Sequence, residues 1–437
     1  MRLTKLQWLW LGVVATIGIV LAYLVSILAY FVPQLSIFSG SLSPAHKPIT
    51  TEAGPSSLIA VDLRYQRIAN RWSYMLDVSL GTPPQNVSLQ VDTGAGFTWV
   101  KSPPAVGSTS CDNFSCRKNP LYHQQRSSTR KDLKRSFDYI YGKGKHAAKG
   151  NRHKDHIHIG GVTIPQFMFG IANKIVEIDD GVAGLVPHDK DSLQDQLFRG
   201  GKIASRIFGI YLGGATNRKG SLVLGGIDPK KYTGSLSRHD VVEHDYFKIR
   251  LDSVGVTKTG TTSVPVSQTS INVLLDTGCN HSILPVPVVE SILEQIGFPQ
   301  QPPVPVLSKG YELPCAYLRN TSITIDFAFG KRTFRIPIKN FMYELEPNLC
   351  VLGIDAAPEF FVLGDTFLES VYVVRDEDDA SIWLAPAADC GSSPIALEPT
   401  TRNLIDFGAL AVNSGSSVPV QINAKSISFT KGECESN

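Results

Sequence analysis

The sequence predicts an all-β fold assembled from two matching halves, and three observations lead there. Short runs rich in Val, Ile and Thr are separated by turn residues, with 37 glycines and 27 prolines among 437 residues, while long helical periodicities are few. A loop of unusual make-up occurs twice: "LQVDTGAGFTWV" (Leu89 to Val100) and "INVLLDTGCNHSIL" (Ile271 to Leu284) each set Asp-Thr-Gly and a small residue between apolar runs. Each loop is followed much later by an apolar segment broken by glycine, "DDGVAGLV" from Asp179 and "EFFVLGDTFLESVYVV" from Glu359. The two acids, Asp92 and Asp276, stand 184 residues apart, about the length of one all-β lobe. Duplication, with the two loops meeting at a pseudo-twofold axis, accounts for the pattern.

The elements follow in order. After Arg2 and Lys5, Leu6 to Val32 carries no charge and is long enough to cross a bilayer as one helix. With the positive charge ahead of it, the N-terminus stays in the cytosol and the rest of the chain crosses. Residues 1–32 therefore read as a single-pass, type II signal anchor holding the chain to a membrane through residues 6–32, with cleavage near Ser39 to Ser41 and secretion as the alternative. Residues 33–71, rich in Ser, Pro and Ala, read as a stalk or short pro-segment. "WSYMLDVSLGTPPQNVSLQVDTG" then opens the first lobe, residues 72–242, as strand, turn and strand. The second lobe takes residues 243–388, and residues 389–437 form a tail that lacks the apolar terminus of a lipid-anchor signal. Asp191 to Gly200 and Val286 to Gly297 are the helix candidates, each with apolar residues three and four apart and a closing glycine.

Hydrophobic residues make up 43% of the chain and charged ones 19%, the composition of a globular protein. A net charge of +3 gives no footing for nucleic acid. Twelve Lys/Arg between Arg117 and Lys154 read as a solvated face. Asn-x-Ser/Thr sequons at Asn86, Asn113 and Asn320 fit glycosylation in the secretory pathway. A fourth, Asn280, lies so close to Asp276 that a sugar there would crowd the chemistry, and it is expected to stay bare. Closely spaced Cys111 and Cys116 suit the same oxidising compartment. His153, His156 and His158 are not read as a metal site, since strand alternation puts His153 on the face opposite the other two. Neither metal nor cofactor is expected.

Two carboxyl groups held a hydrogen bond apart in a poorly solvated site cannot both ionise near neutrality, so they share a proton. The ionised member can take a proton from water while the protonated one hydrogen-bonds a substrate carbonyl, and a peptide bond is attacked with no covalent intermediate. Gly94 and Gly278 let the backbones approach closely, and Thr93 and Thr277 can hydrogen-bond across to the opposite loop to hold the carboxylates coplanar.

On "VDTGAGFTWV", "LLDTGCNHSILP", "YGKG" (Tyr141 to Gly144), "DGVAGL", "GGIDPKKYTGSL", "YFKIRLDSV" and "VLGDTFLESVYVV", the chain from about Trp72 to Pro386 resembles the pepsin-like aspartic peptidases, with a fungal-type flavour. The resemblance implies a bilobal fold with a cleft between the lobes, a monomer acting on polypeptides, and Asp92 and Asp276 as the catalytic pair. It makes Tyr141 the tyrosine of a hairpin flap, followed by Gly142, and gives Trp99 the task of hydrogen-bonding its hydroxyl. It also implies disulfides Cys111–Cys116 and Cys315–Cys350, leaving Cys390 and Cys434 as a tail bridge and Cys279 as a free thiol.

The sequence departs from that family in three places. The family usually carries hydroxyl residues just after each Asp-Thr-Gly, where this chain has Ala95 and Cys279. Losing those donors to the ionised form raises the pair's proton affinity, so the activity optimum should be less acid than usual. Lys143 and Lys145 stand on the flap, either attracting acidic substrates or pointing outward. The segment before the first lobe is also short for an inhibitory pro-piece. A catalytically silent relative that binds peptide in its cleft is the alternative to an active endopeptidase.

Overall fold

The computed structural model describes residues 58–397, except 69–70, 104–119, 143–145, 177, 179, 187–190, 243–245, 268–269 and 299–310. Strand alternation organises the molecule. A thirteen-stranded sheet runs, in spatial order, through Lys131–Tyr141, His146–Ile159, Val162–Val176, Trp99–Lys101, Gly181–Gly184, Gln85–Asp92, Arg71–Leu80, Ile59–Ile68, Lys219–Leu224, Ile207–Tyr211, Val371–Asp376, Ser381–Pro386 and Ser237–Asp240. The second half adds a five-stranded sheet, Lys248–Leu251, Ile271–Leu275, Phe361–Leu363, Ser282–Pro285 and Ile354–Ala357, with sheets of four and three strands packed around it. One continuous apolar cluster reaches from Ile59 and Leu89 in the first half to Leu275 and Phe367 in the second.

The pseudo-twofold relation is visible in the strand pairing. Gln85–Asp92 runs parallel to Gly181–Gly184, with Asp92 opposite Gly184, and Trp99 returns antiparallel opposite Val182. In the second half Ile271–Leu275 runs parallel to Phe361–Leu363, and Ile283 returns antiparallel opposite Val362. Each returning strand then pairs in parallel with an outer one, Val162–Val176 in the first half and Ile354–Ala357 in the second. Both Asp-Thr-Gly loops therefore leave one strand and come back on the far side of the same apolar-glycine strand. Parallel strands buried on both faces read as continuous apolar runs, which is why these segments looked alike in sequence.

Both expected helices form. Leu193–Arg199 is capped by Ser192, whose hydroxyl accepts from the Asp195 N–H at 3.2 Å. Val286–Ile296 buries Val288, Val289, Ile292, Leu293 and Ile296 and stops at Gly297, whose φ of +98° suits glycine. Among the described residues, no helix is long and apolar enough to cross a membrane. The anchor read at Leu6 to Val32 lies outside the described residues.

Three boundaries read from sequence need correction. Strand Ile59–Ile68 falls inside the presumed stalk, residues 33–71, yet it sits mid-sheet between Lys219–Leu224 and Arg71–Leu80. Its outward positions carry charge, Asp62, Arg64 and Arg67, while Ile59 and Leu63 face the core, and that mixed texture disguised the alternation. The tail assigned to 389–437 is docked as far as Leu397: Ile395–Ala396 pairs with Gly226–Ile227, and Asp228 accepts from the Ser392 hydroxyl at 2.7 Å and the Ser393 N–H at 3.0 Å. The division at 242/243 is not clean either, because Val371–Asp376 and Ser381–Pro386 return to the first half's sheet. Cys315 and Cys350 form a disulfide. Cys390 is disulfide-bonded, while Cys434, Cys111, Cys116 and Asn113 lie outside the described residues.

The turn after Val371–Asp376 carries Glu377, both of whose carboxyl oxygens are buried without a hydrogen-bond partner. Burial first, then the charge of Asp195, pushes its pKa from the ordinary glutamate range to about 8. A carboxyl with a raised folded-state value favours the fold while protonated, so its contribution is complete below about pH 4.5 and is lost as pH rises through about 8. Glu377→Gln should therefore flatten the fall in melting temperature between about pH 5 and pH 8, recovering up to about 4 kcal/mol at the upper end. Thermal unfolding of the two proteins across that range checks it.

Candidate active site

The site is built where the two Asp-Thr-Gly loops meet. Asp92 ends strand Gln85–Asp92 and is 8% exposed; Asp276 follows Ile271–Leu275 and is half-buried. The threonines lock the loops together by a reciprocal exchange. The Thr93 N–H donates to Thr277 Oγ1 at 3.1 Å, and the Thr277 N–H donates to Thr93 Oγ1 at 3.0 Å. Each hydroxyl then donates to a strand carbonyl of the opposite half, Thr93 to Leu275 and Thr277 to Val91, both at 2.8 Å.

This crossing brings the carboxyl groups together. The Gly94 N–H donates to Asp92 Oδ1 at 2.7 Å and the Gly278 N–H to Asp276 Oδ1 at 2.8 Å, while the two carboxyls hydrogen-bond each other. A Cβ on Gly94 would stand 2.7 Å from Asp276 Oδ1, and one on Gly278 would stand 2.7 Å from Asp92 Cγ. Those separations leave no room for any side chain, so both positions require glycine. Burial, reinforced by the charge of Asp276, holds Asp92 well above the usual carboxyl range. Burial also raises Asp276, against the pull of the Gly278 N–H and the hydrogen bond from Asp92.

The residues after the loops add no side-chain donor. Ala95 offers only its backbone N–H to Asp92, and the Cys279 thiol turns away to donate to the His281 carbonyl at 3.2 Å. Cys279 makes no disulfide, and burial pushes its thiol well above the ordinary range. Over the first loop, Lys131–Tyr141 and His146–Ile159 form a hairpin with Tyr141 opposite His146. Trp99, fully buried, donates its indole N–H to the Tyr141 hydroxyl at 3.0 Å. Gly142 follows Tyr141 in the left-handed region, φ +54°. Burial, then the Asp92 charge, raises the Tyr141 phenol. Lys143 and Lys145 lie outside the described residues.

Other sequence expectations meet the structure directly. His153 is buried and His156 and His158 half-buried on the alternate face. Asn280 has both ends of its amide engaged: Oδ1 accepts from the Trp72 N–H at 3.4 Å, and Nδ2 donates to the Trp72 carbonyl and to Asp365 Oδ2 at 3.2 Å. Asn86 is exposed on its strand, and Asn320 Oδ1 accepts from the Ser322 and Ile323 N–H groups at 2.8 and 3.2 Å.

Sequence reasoning missed a second pair of buried acids, Asp365 and Glu369, one helical turn apart on "DTFLE". The Asp365 N–H donates to the Cys279 carbonyl at 2.9 Å, so it packs directly against the Asp276 loop. Burial, then the Glu369 charge, pushes Asp365 well above the usual range. The only signal was an acid inside an apolar-glycine segment. His281 was also missed: it bridges Asp355 at 3.0 Å and the Tyr343 hydroxyl at 2.6 Å.

Comparison with known proteins agrees with this geometry. The eukaryotic aspartyl protease family matches residues 73–387. The chain belongs to that family. Among its relatives, Rhizopuspepsin-1 of Rhizopus niveus is 28% identical over 354 residues, covering 78% of this chain and 84% of that one. Secreted aspartic protease 5 of Candida albicans is 29% identical over 354 residues, covering 77% and 80%, and Candidapepsin-4 of the same species is 29% identical over 353, covering 76% and 80%. The chain is accordingly an aspartic-type endopeptidase with the bilobal, all-β architecture of pepsin-like enzymes.

The Thr93 and Thr277 exchange sets a test of the frame itself. Thr277→Val removes the acceptor of the buried Thr93 N–H and leaves the Val91 carbonyl unpaired, which should cost about 2 to 4 kcal/mol of stability. Thr277→Ser keeps the hydroxyl and should cost less than half as much by chemical denaturation.

Proposed function

We propose that Asp92 and Asp276 hydrolyse peptide bonds by activating a water between them. The observation that carries this reading is the close approach of the two acids, each carboxyl pressed against the opposite loop's glycine by the reciprocal threonine exchange. One acid holds the shared proton and hydrogen-bonds the scissile carbonyl oxygen; its ionised partner takes a proton from the attacking water. The tetrahedral intermediate then collapses as a proton passes to the leaving nitrogen and the pair returns to its starting state. The Gly94 and Gly278 N–H groups fix the inner oxygens, so little reorganisation accompanies the charge shift. Tyr141 and Gly142 close over the substrate, with Trp99 fixing the tyrosine hydroxyl. Neither metal nor cofactor has a part in this chemistry.

The enzyme acts as a monomer, outside the cell or in the secretory pathway, a placement supported by the names of its secreted Candida relatives. The uncharged run from Leu6 to Val32 holds it at a membrane as a type II anchor, and cleavage behind that run would release it. Residues 33–57 serve as stalk or short pro-piece. Asn86 and Asn320 accept glycans while Asn280 stays bare, its amide being engaged on both sides.

Cleavage of a denatured protein between about pH 3 and pH 7 tests the catalytic assignment. Pepstatin should abolish it, and Asp92→Asn or Asp276→Asn should each lower kcat by about 10³-fold or more; full activity in either variant would remove the pair from the mechanism. A second arm restores hydroxyl donors. Ala95→Ser with Cys279→Thr should move the acid limb of the kcat/KM profile toward lower pH, because hydrogen bonds to the ionised pair lower its proton affinity. An unmoved limb would detach those positions from the pH optimum.

A further inference from the structure

A cavity of about 210 Å³ has Trp72, Arg218, Lys339, Tyr343, Thr366 and Glu369 in its wall. It has room for about seven waters at ~30 Å³ each. Neither acid of the pair, nor Tyr141 or Trp99, contributes to its wall. Yet it touches the frame of the site, since the Thr366 hydroxyl donates to the Gly353 carbonyl at 2.9 Å and accepts from the Ser282 N–H at 3.2 Å.

The groups facing this cavity are mostly donors and aromatic surfaces. Lys339 is half-buried, and its side chain makes no ion pair or hydrogen bond among the described residues. Arg218 lies over the Tyr65 ring at 4.7 Å and donates to its hydroxyl at 2.7 Å, which fixes the guanidinium in place. Trp72, 6% exposed, has a buried indole N–H without an acceptor. Its ring meets Tyr343 edge-on at 4.9 Å. Glu369 on the same wall accepts from the Tyr74 hydroxyl at 2.7 Å, and burial raises its pKa against the pull of that hydrogen bond and of the Arg218 charge. A half-buried ammonium with no side-chain partner suits an oxygen anion, and aromatic walls favour an apolar body beside it.

We propose that this cavity binds a small carboxylate carrying an apolar or aromatic group, such as the new C-terminus that each cleavage leaves on a peptide. Lys339 and Arg218 meet the carboxylate, and Trp72 and Tyr343 flank the apolar part. The assignment stands on the cavity's own residues and does not depend on which groups perform the cleavage.

Isothermal titration of the full chain at about pH 5, with pepstatin filling the cleft, tests it. Phenylacetate should bind once per chain, with phenylacetamide and inorganic phosphate each at least tenfold weaker. Lys339→Gln should weaken phenylacetate at least tenfold while leaving cleavage of a peptide substrate unchanged, and Lys339→Arg should restore binding. The proposal is overturned if phenylacetate does not bind, if pepstatin displaces it, if the amide or phosphate binds as well as the acid, or if Lys339→Gln has no effect. The comparison of acid with amide uses the unaltered protein, so it decides the matter even if Lys339→Gln does not fold.

Discussion

Everything about the site depends on four hydrogen bonds at its base. Thr93 and Thr277 exchange backbone N–H and hydroxyl groups across the pseudo-twofold axis, and each hydroxyl also holds a carbonyl of the other half. Because every threonine hydroxyl both accepts and donates, neither loop can shift without stranding a buried polar group in the other, at a cost of about 1 to 3 kcal/mol per group. The exchange registers two strands that are far apart in sequence to within a hydrogen bond. It also explains the glycines, since the same closeness presses each carboxyl against the opposite backbone. Geometry that a single loop could not hold is held by two copies of it.

The second theme is acid kept from water. Asp92, Asp276, Asp365, Glu369 and Glu377 are all raised by burial before any other cause. The first two are the acids to which the proposed mechanism gives the chemistry; the others pack in the surrounding scaffold. Asp365 ties them together, since it holds Asn280 and, through its own N–H, the Cys279 carbonyl on the Asp276 loop. Each of these raised carboxyls favours the fold while protonated, in the same medium in which a shared proton between two acids persists.

Much of this was legible in the chain. Two Asp-Thr-Gly loops in apolar surroundings identified the acids, because a buried ionisable group beside two backbone-permissive residues is costly unless it works. The pairing of Trp99 with Tyr141 came from resemblance and is present at 3.0 Å. Helices at Leu193–Arg199 and Val286–Ile296 followed from spacing and caps. What stayed hidden had long-range causes. Ile59–Ile68 carries charge on its outward face, so a sheet-centre strand looked like a linker. Asp365 gains its environment from the Asp276 loop, 89 residues earlier, and locally it is marked only as an acid inside an apolar-glycine segment. His281 likewise matters through Asp355 and Tyr343, neither of which is near it in sequence.

The strand order of the large sheet has a consequence for how the protein is made. Ile207–Tyr211 is flanked on one side by Lys219–Leu224 and on the other by Val371–Asp376, so the first half presents an unpaired edge until almost the whole chain exists. A ribosome delivering residues in order leaves that edge open while the second half is synthesised, and only the arrival of Val371–Asp376 and Ser381–Pro386 covers it. Closing the sheet and completing the second loop's parallel strand Phe361–Leu363 thus fall within the same short stretch of translation. A truncated product lacking that stretch has neither a sealed sheet nor a framed second acid, so the architecture ties the onset of proteolytic capacity to completion of the chain.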